Sequence, residues 1–511
     1  MKTIRFTAFS ILFGLLVLVS ACKKETKPTA AATQTGSKIM VTGQDAGAGL
    51  KSTINGLTVN WAVADKIGLY CAQAGSYGTN AEYTTGSAGA KSDFTGLMTW
   101  GASGTHNLYA YYPWKSGSDA VTAVPISLPA SQSQSGNNSD HIGLLDFTVA
   151  SATASPGAAG QLVDVNLNFN HVFTLLEFDL QLAAGQSATD LSKIELYSTD
   201  ANISLTSGTI NLTQALPTGD NSYTIVSPVG TKKVTLSVSS GCTLTSGSVT
   251  NAYMMILPGN QAVTTSNMTI KITTTAGVTV VVKDGINFVR GKRYTIDLSN
   301  LTFSGSVNDV DSHTYQTVTI GKQVWMATNL NTSKYNDGSS ILNETNNTNW
   351  LNATTGAYCD YNNIASNSNT YGKLYNWFAV DNNASTKVAS NGGKNVCPSG
   401  WHIPSDAEWT TLTDYLGGLS KAGGKLKETG TTHWTTPNTG ATNETGFTAL
   451  PGGDRSYYDG SFYDMGNYGN WWSSKEIDAT KAWDIELYNN ITPLIQNYIK
   501  QYGFSVRCVK D

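Results

Sequence analysis

The stretch VDVNLNFNHVFTLLEFDLQL, residues 163–182, constrains the fold more than any other part of this sequence. Val163, Val165, Leu167 and Phe169 alternate with polar residues, the period of a half-buried strand. The alternation resumes out of phase as Leu176, Phe178, Leu180 and Leu182, so a bulge or strand break is expected near Phe173. The same period recurs in KVTLSVSSG through Val234, Leu236 and Val238. In LTVNWAV it runs through Leu57, Val59, Trp61 and Val63, just after a tight-turn signal at Asn55-Gly56. MTIKITTTAGVTVVV reads as a hairpin turning at Ala276-Gly277. Helical periodicity is scarce, and Gly, Ser, Thr and Asn separate the strands, so packed β-sheets are expected. A chain of 511 residues exceeds one core and calls for two to four domains. Composition changes at FSGSVNDVDSH, which places a polar linker at 304–310; beyond it tryptophan and tyrosine are dense and a convincing helix appears.

Charged residues make up 13% of the chain and the formal net charge is −4, so there is no basic field to hold nucleic acid. Lys2 and Arg5 precede the apolar run FTAFSILFGLLVLV, which fits a signal peptide over 1–21 better than a membrane span. LVSAC resembles the lipobox of bacterial lipoproteins. That resemblance implies lipidation of Cys22, outer-membrane lipid as a partner, and a surface-exposed lipoprotein of the cell outer membrane. Residues 22–37, polar and free of aromatics, read as a flexible tether.

Several segments resemble the fimbrillin-like (Mfa-like) family of surface lipoproteins and pilus subunits: GLTVNWAVADKIGLYC, LYAYYPW, FNHVFTLLEFDL, AYMMILPG and INFVRGKRYTIDLS, in that order. The resemblance implies two β-sandwich lobes, at 38–160 and 161–303. It also implies partnership with other fimbrillin subunits by strand exchange, since an open groove exposes apolar surface and unpaired backbone that an incoming strand satisfies. The sequence departs from the family in having no arginine between Cys22 and Arg290, so an arginine-specific protease has no target in the expected segment; Lys38 and Lys51 are the available basic positions, and the intact lipoprotein is then expected to be the working form.

Residues 311–511 resemble the FISUMP (Fibrobacter major paralogous) family through VTIGKQVWMATNL, YGKLYNWFAV, VCPSGWHIPSDAEWTTLTDYLGG, GFTALPGGDRSYYDGSFYDMGNYGNWWSSKE and YGFSVRCVKD. This implies a compact α+β domain with a C-type-lectin-like fold and no defined activity. Within it, Ser405 and Glu408 have the spacing of a capping box for a helix over 406–416, with Trp409, Leu412 and Leu416 as its buried stripe and Gly417 at its end. Fold analogy favours a Cys397–Cys508 disulfide, with a Cys359 pairing or free thiols as the alternatives. Closing a loop of that length contributes about 3–5 kcal/mol. There is no C-x-x-C pair, and the six histidines are scattered, so neither a metal nor a cofactor is expected, and His402 reads as structural.

No Walker A loop, nucleophile elbow or dinucleotide fingerprint is present, which points away from an enzyme. Tyr457, Tyr458, Phe462, Tyr463, Tyr468, Trp471 and Trp472 crowd one Gly- and Asp-rich stretch. Aromatic faces flanked by carboxylates and amides suit sugar rings, so Tyr457, Tyr458 and Tyr463 are the candidate ligand-binding residues, with the tryptophans assigned to the core. The expected function is that of a fimbrial tip or terminal subunit, or an adhesin presenting its C-terminal domain to a glycan or host surface protein. A purely structural component without a ligand, or a glycan-active enzyme, are the alternatives.

Overall fold

In the computed structural model, the residues described are 38–45, 60–157, 163–199, 201–214, 224–239, 241–258, 266–286, 288–303, 305–381, 392–489 and 494–511. The signal peptide, Cys22 and the tether lie outside them, as do Leu57, Val59 and the Asn55-Gly56 turn.

The chain is mostly β and is built from several sheets. Seven strands close a barrel in the order Met40–Asp45, Lys91–Thr95, Ala81–Thr85, Lys66–Tyr70, His106–Tyr112, Thr148–Ala154 and Asp164–His171. The first strand closes it, pairing antiparallel with Lys91–Thr95 and parallel with Asp164–His171. The barrel interior is filled by Trp61, Ile67, Leu69, Tyr83, Phe94, Leu108, Leu167 and Phe169. The first lobe is thus a closed barrel where a sandwich was expected. The stretch around Trp61 also differs from the expected strand. Trp61 pairs with Gly89 in an isolated bridge, and Val63 is exposed. The reason is a turn: Ala62 N–H donates to the Asp65 carboxylate at 2.7 Å, and Ala64 takes a positive φ of 71°.

The second lobe packs a three-stranded sheet, Thr250–Ile256, Thr174–Leu182 and Arg293–Leu301, against a much longer one. Leu176, Phe178 and Leu180 from the short sheet meet Ile194, Leu196, Leu236, Ile270 and Ile272 from the long one. The expected break near Phe173 is present, since strands Asp164–His171 and Thr174–Leu182 are separated by Val172 and Phe173. The hairpin Ser266–Thr274/Gly277–Ile286 turns one residue earlier than expected, with Thr274 opposite Gly277 and Thr275-Ala276 as the loop. The two lobes interlock across the expected boundary at 160. Val124–Leu128 pairs with Leu205–Ile210, and Ser131–Ser135 pairs with Lys233–Ser239.

The long sheet has eleven strands and does not stop at the end of the second lobe. Its main path runs Ser131–Ser135, Lys233–Ser239, Thr189–Ser198, Ser266–Thr274, Gly277–Ile286, Thr314–Ile320, Gln323–Met326, Val509–Lys510 and Trp401–His402. The joint is the parallel pairing of Val278, Thr279 and Val280 with Val318, Thr319 and Ile320. Part of the expected linker is itself a strand, Ser306–Asn308, paired with 314–316. Side chains reinforce the joint. Val280 packs with Val318, Ile320, Trp325, Trp409, Leu412 and Leu416. Val282 N–H donates to the Tyr415 hydroxyl at 2.9 Å. Lys425 lies 3.0 Å from Glu444 with both side chains buried, and Thr269 of the second lobe donates to Glu444 at 2.5 Å.

A buried ion pair is costly to break, because removing one partner strands the other charge away from water. Lys425→Ala is expected to destabilise the protein by about 3–5 kcal/mol in a denaturant titration. The double variant Lys425→Met, Glu444→Leu should lie within about 1 kcal/mol of the wild type.

Candidate functional site

The segment 397–418 forms a structural cluster. Helix Asp406–Tyr415 begins with the capping box of Ser405 and Glu408, and buries Trp409 and Leu412. Gly417 follows with φ +94°, a conformation open to glycine. Cys397 and Cys508 are joined by a disulfide across 111 positions, while Cys71, Cys242 and Cys359 are buried free thiols. His402 bridges the Glu408 carboxylate at 2.7 Å and the Asp511 carboxylate at 2.6 Å. The hydrogen bond to Glu408 is the main reason its pKa rises to about 9, with Asp511 adding to it. Burial opposes ionisation of Glu408, but hydrogen bonds from His402 and Ser405 outweigh it and bring that carboxyl down to about 2. Among the described residues, no group of three or more His, Cys, Asp or Glu is arranged to hold a metal ion.

A five-stranded sheet carries the pocket. Its order is Phe462–Met465, Gly452–Arg455, Tyr468–Glu476, Lys481–Tyr488 and Leu494–Ile499. Side chains two apart share a face of a strand, and residues directly opposite in an antiparallel pair share it too. The register Tyr468↔Tyr488, Asn470↔Glu486 and Trp472↔Asp484 therefore makes one row running from the rim inward. Asp454 lies opposite Tyr463 on the neighbouring pair. Tyr498, Tyr502 and Phe504 complete the wall, enclosing a cavity of about 500 Å³.

The wall is strongly acidic. Asp454, Asp459, Asp464 and Glu486 all line it, and among the described residues no lysine, arginine or histidine does. Asp454 is 8% exposed; burial, then the charges of Asp464, Glu486 and Asp459, push its carboxyl up to about 7. Glu486 is 2% exposed, is raised by burial, and accepts from the Tyr498 hydroxyl at 3.0 Å. One step further in, Asp484 is fully enclosed, with both carboxylate oxygens lacking a hydrogen-bond partner among the described residues. Burial raises it well above the usual carboxylate range.

The rim is aromatic. Tyr458 is 73% and Tyr463 48% exposed, and the Tyr463 hydroxyl donates to Asp459 at 2.7 Å. Both line the cavity. Tyr457 is outside the lining and instead packs against Tyr458 and Tyr502, with ring centroids 3.8 and 5.1 Å apart. Trp471 and Trp472 are buried, their indole N–H groups donating to Asn329 and to the Tyr375 carbonyl. Arg455 sits behind the loop. Its guanidinium donates to the Gly460 carbonyl at 2.9 Å and to Asn347 at 3.0 Å, and it stacks over Trp350. Sequence reasoning missed Asp454, Asp464, Glu486, Tyr488, Tyr498 and Tyr502. The alternation D-x-E-x-Y at 484–488 was a signal, but only the strand register turns it into a wall.

The fold is that of a mostly β chain of several sheets carrying a further domain with this pocket. The chain belongs to the fimbrillin-like family, whose model matches residues 53–322, more than half its length. Residues 318–510 match the Fibrobacter succinogenes major domain, so the two matches overlap within the strand at the joint and the turn after it. No curated protein matches the chain. Among solved structures, it is similar to a suspected cell adhesion protein from Bacteroides uniformis ATCC 8492, at 18% identity over 52% of this chain and 95% of that one, TM-score 0.34. It is also similar to a fimbrial assembly protein from Parabacteroides distasonis ATCC 8503, at 11% identity over 55% and 98%, TM-score 0.29. A fimbrial protein from Bacteroides ovatus ATCC 8483 aligns at 12% identity over 94% and 99%, TM-score 0.25. Membership of the fimbrillin-like family implies a surface-exposed location and association with other fimbrial subunits. Among the described residues, no helix is long and apolar enough to cross a membrane.

Two measurements check these electrostatics. The stability that His402 contributes is complete below about pH 6.5, its ordinary pKa, and disappears as the pH rises through about 9. His402→Ala should therefore lower Tm most near pH 6, with the gap closing above pH 9. Asp454 acts in the opposite sense, because an acid with a raised pKa destabilises the fold once it is ionised. Asp454→Asn should raise Tm at pH 8, and the gain should vanish toward pH 4.

Proposed function

We propose that this chain is a terminal or tip subunit of a fimbria, or a surface adhesin, whose C-terminal domain is a rigid head that presents the acidic tyrosine pocket to a ligand. The head comprises residues 311–511 and is of the C-type-lectin-like kind. The two lobes at 38–160 and 161–303 form the fimbrillin-like body, and Cys22 is its lipid anchor in the outer membrane.

One observation carries this reading. The strand Thr314–Ile320 adds in parallel to the edge hairpin of the second lobe, so the head extends the body's own sheet. A sheet edge occupied within the chain is closed to a strand from another subunit. The last strand of the chain, Val509–Lys510, is likewise enclosed between Gln323–Met326 and Trp401–His402. The lectin-like reading draws support from this meeting of early and late strands of the head, and from two helices, Asp406–Tyr415 and Leu419–Leu426, beside the five-stranded sheet. Strand exchange remains available on the body's other side. Met40–Asp45 is a single short strand closing the barrel, and its loss would open a groove between Lys91–Thr95 and Asp164–His171.

The test is localisation. Gold-labelled antibody against the head should mark the ends of purified fibres, or the cell surface, and the protein should co-purify with other fimbrillins. Regular labelling along the shaft would overturn the terminal placement.

A further inference from the structure

Buried carboxylates in folded proteins are almost always paired with a cation or fully hydrogen-bonded. Several other buried carboxylates among the described residues follow that rule. Glu444 holds Lys425, Glu195 is met by Lys193, Lys233 and Lys271, and Asp360 is met by Lys373. The pocket departs from it. Four carboxylates share one cavity with no cationic side chain in its wall among the described residues. Asp454 is met there by the like charges of Asp464, Glu486 and Asp459, and Asp484 stands behind Glu486 with both oxygens unpartnered among the described residues. The nearby cations are committed elsewhere. Arg455 is tied to Gly460 and Asn347, and Lys500 lies 2.7 Å from Glu476 and over the Trp377 ring.

We propose that the pocket takes an amino sugar, with its protonated amine set among Asp454, Asp464 and Glu486 and its ring against the tyrosines. This rests on the reading of the pocket as the head's ligand site. Three features select the ligand. Burial and crowding hold these carboxyls back from ionising, a strain that a bound ammonium would relieve and a neutral sugar would leave as it is. A metal ion is disfavoured because these acids are not grouped to ligate one. The wall also offers Ser456, Asn470 and tyrosine hydroxyls, which match the hydroxyl groups of a sugar and which a bare alkylamine would leave unpaired. Tyrosine rings suit both parts of such a ligand, since their faces attract ammonium groups and pack on C–H surfaces. A cavity of about 500 Å³ lies within the range for small-ligand sites.

The experiment is calorimetric titration of the full chain at pH 7 with four probes: the disaccharide of glucosamine, its di-N-acetylated form, cellobiose, and Nα-acetyl-lysine methylamide. The expected result is binding of the glucosamine disaccharide at least about tenfold tighter than the other three. Glu486→Gln should weaken it by about tenfold or more. Asp459→Asn and Tyr458→Ala, at exposed positions on the rim, should each weaken it measurably. Equal binding of the acetylated or neutral disaccharide would overturn the cation assignment while leaving the pocket as a glycan site. Preference for the lysine derivative would overturn the sugar assignment. Binding of none of the four would overturn both this proposal and the reading of the pocket on which it rests.

Discussion

The structure depends on a short run of backbone pairing between Val278–Val280 and Val318–Ile320. Without it the second lobe would end in an unpaired hairpin, and the C-terminal domain would begin with an unpaired strand. Each would expose a row of amide and carbonyl groups beside apolar side chains. Pairing satisfies both edges at once and brings Val280 against Trp325, Trp409 and Leu416. The polar contacts at the joint are subordinate to this. Lys425, Glu444 and Thr269 fix its register more than they add to its stability, as expected for a buried ion pair whose desolvation offsets its attraction.

Set against that compensated joint, the pocket is electrostatically frustrated. Elsewhere the fold goes to some length to accommodate charge. The buried guanidinium of Arg507 is held by Asn329 and by the Phe447 and Thr448 carbonyls, and the Lys427 ammonium by three backbone carbonyls. A chain that provides for charges so thoroughly in its core, yet gathers carboxylates without a counterion in one cavity, concentrates destabilisation where recognition would use it.

Local features were the legible ones. The phase slip at Phe173 marks the strand break because a period of two cannot absorb one extra residue. Ser405, Glu408, Trp409 and Leu412 define their helix because capping and helical spacing act within a few positions. The non-local features were hidden. Nothing in MVTGQD shows that it closes a barrel beside Asp164–His171, more than a hundred residues on, and the seven polar-looking residues 304–310 gave no sign of joining a sheet. The tyrosine cluster at 457–463 was visible by density, which located the rim. Its acidic floor comes from strands whose register pairs Asn470 with Glu486, and no single-strand pattern specifies that.

Arg455 gives the pocket one further property. By holding the Gly460 carbonyl from beneath while stacking on Trp350 and Phe462, it fixes the loop 456–461 through contacts within the chain itself. Gly460 takes a positive φ of 70°, and its Cα lies too near Asn347 for any side chain to fit. An incoming molecule therefore meets a loop whose conformational freedom has already been given up in folding. Association should cost little ordering entropy and proceed close to rigid docking, so selectivity would come from shape and charge instead of induced adjustment.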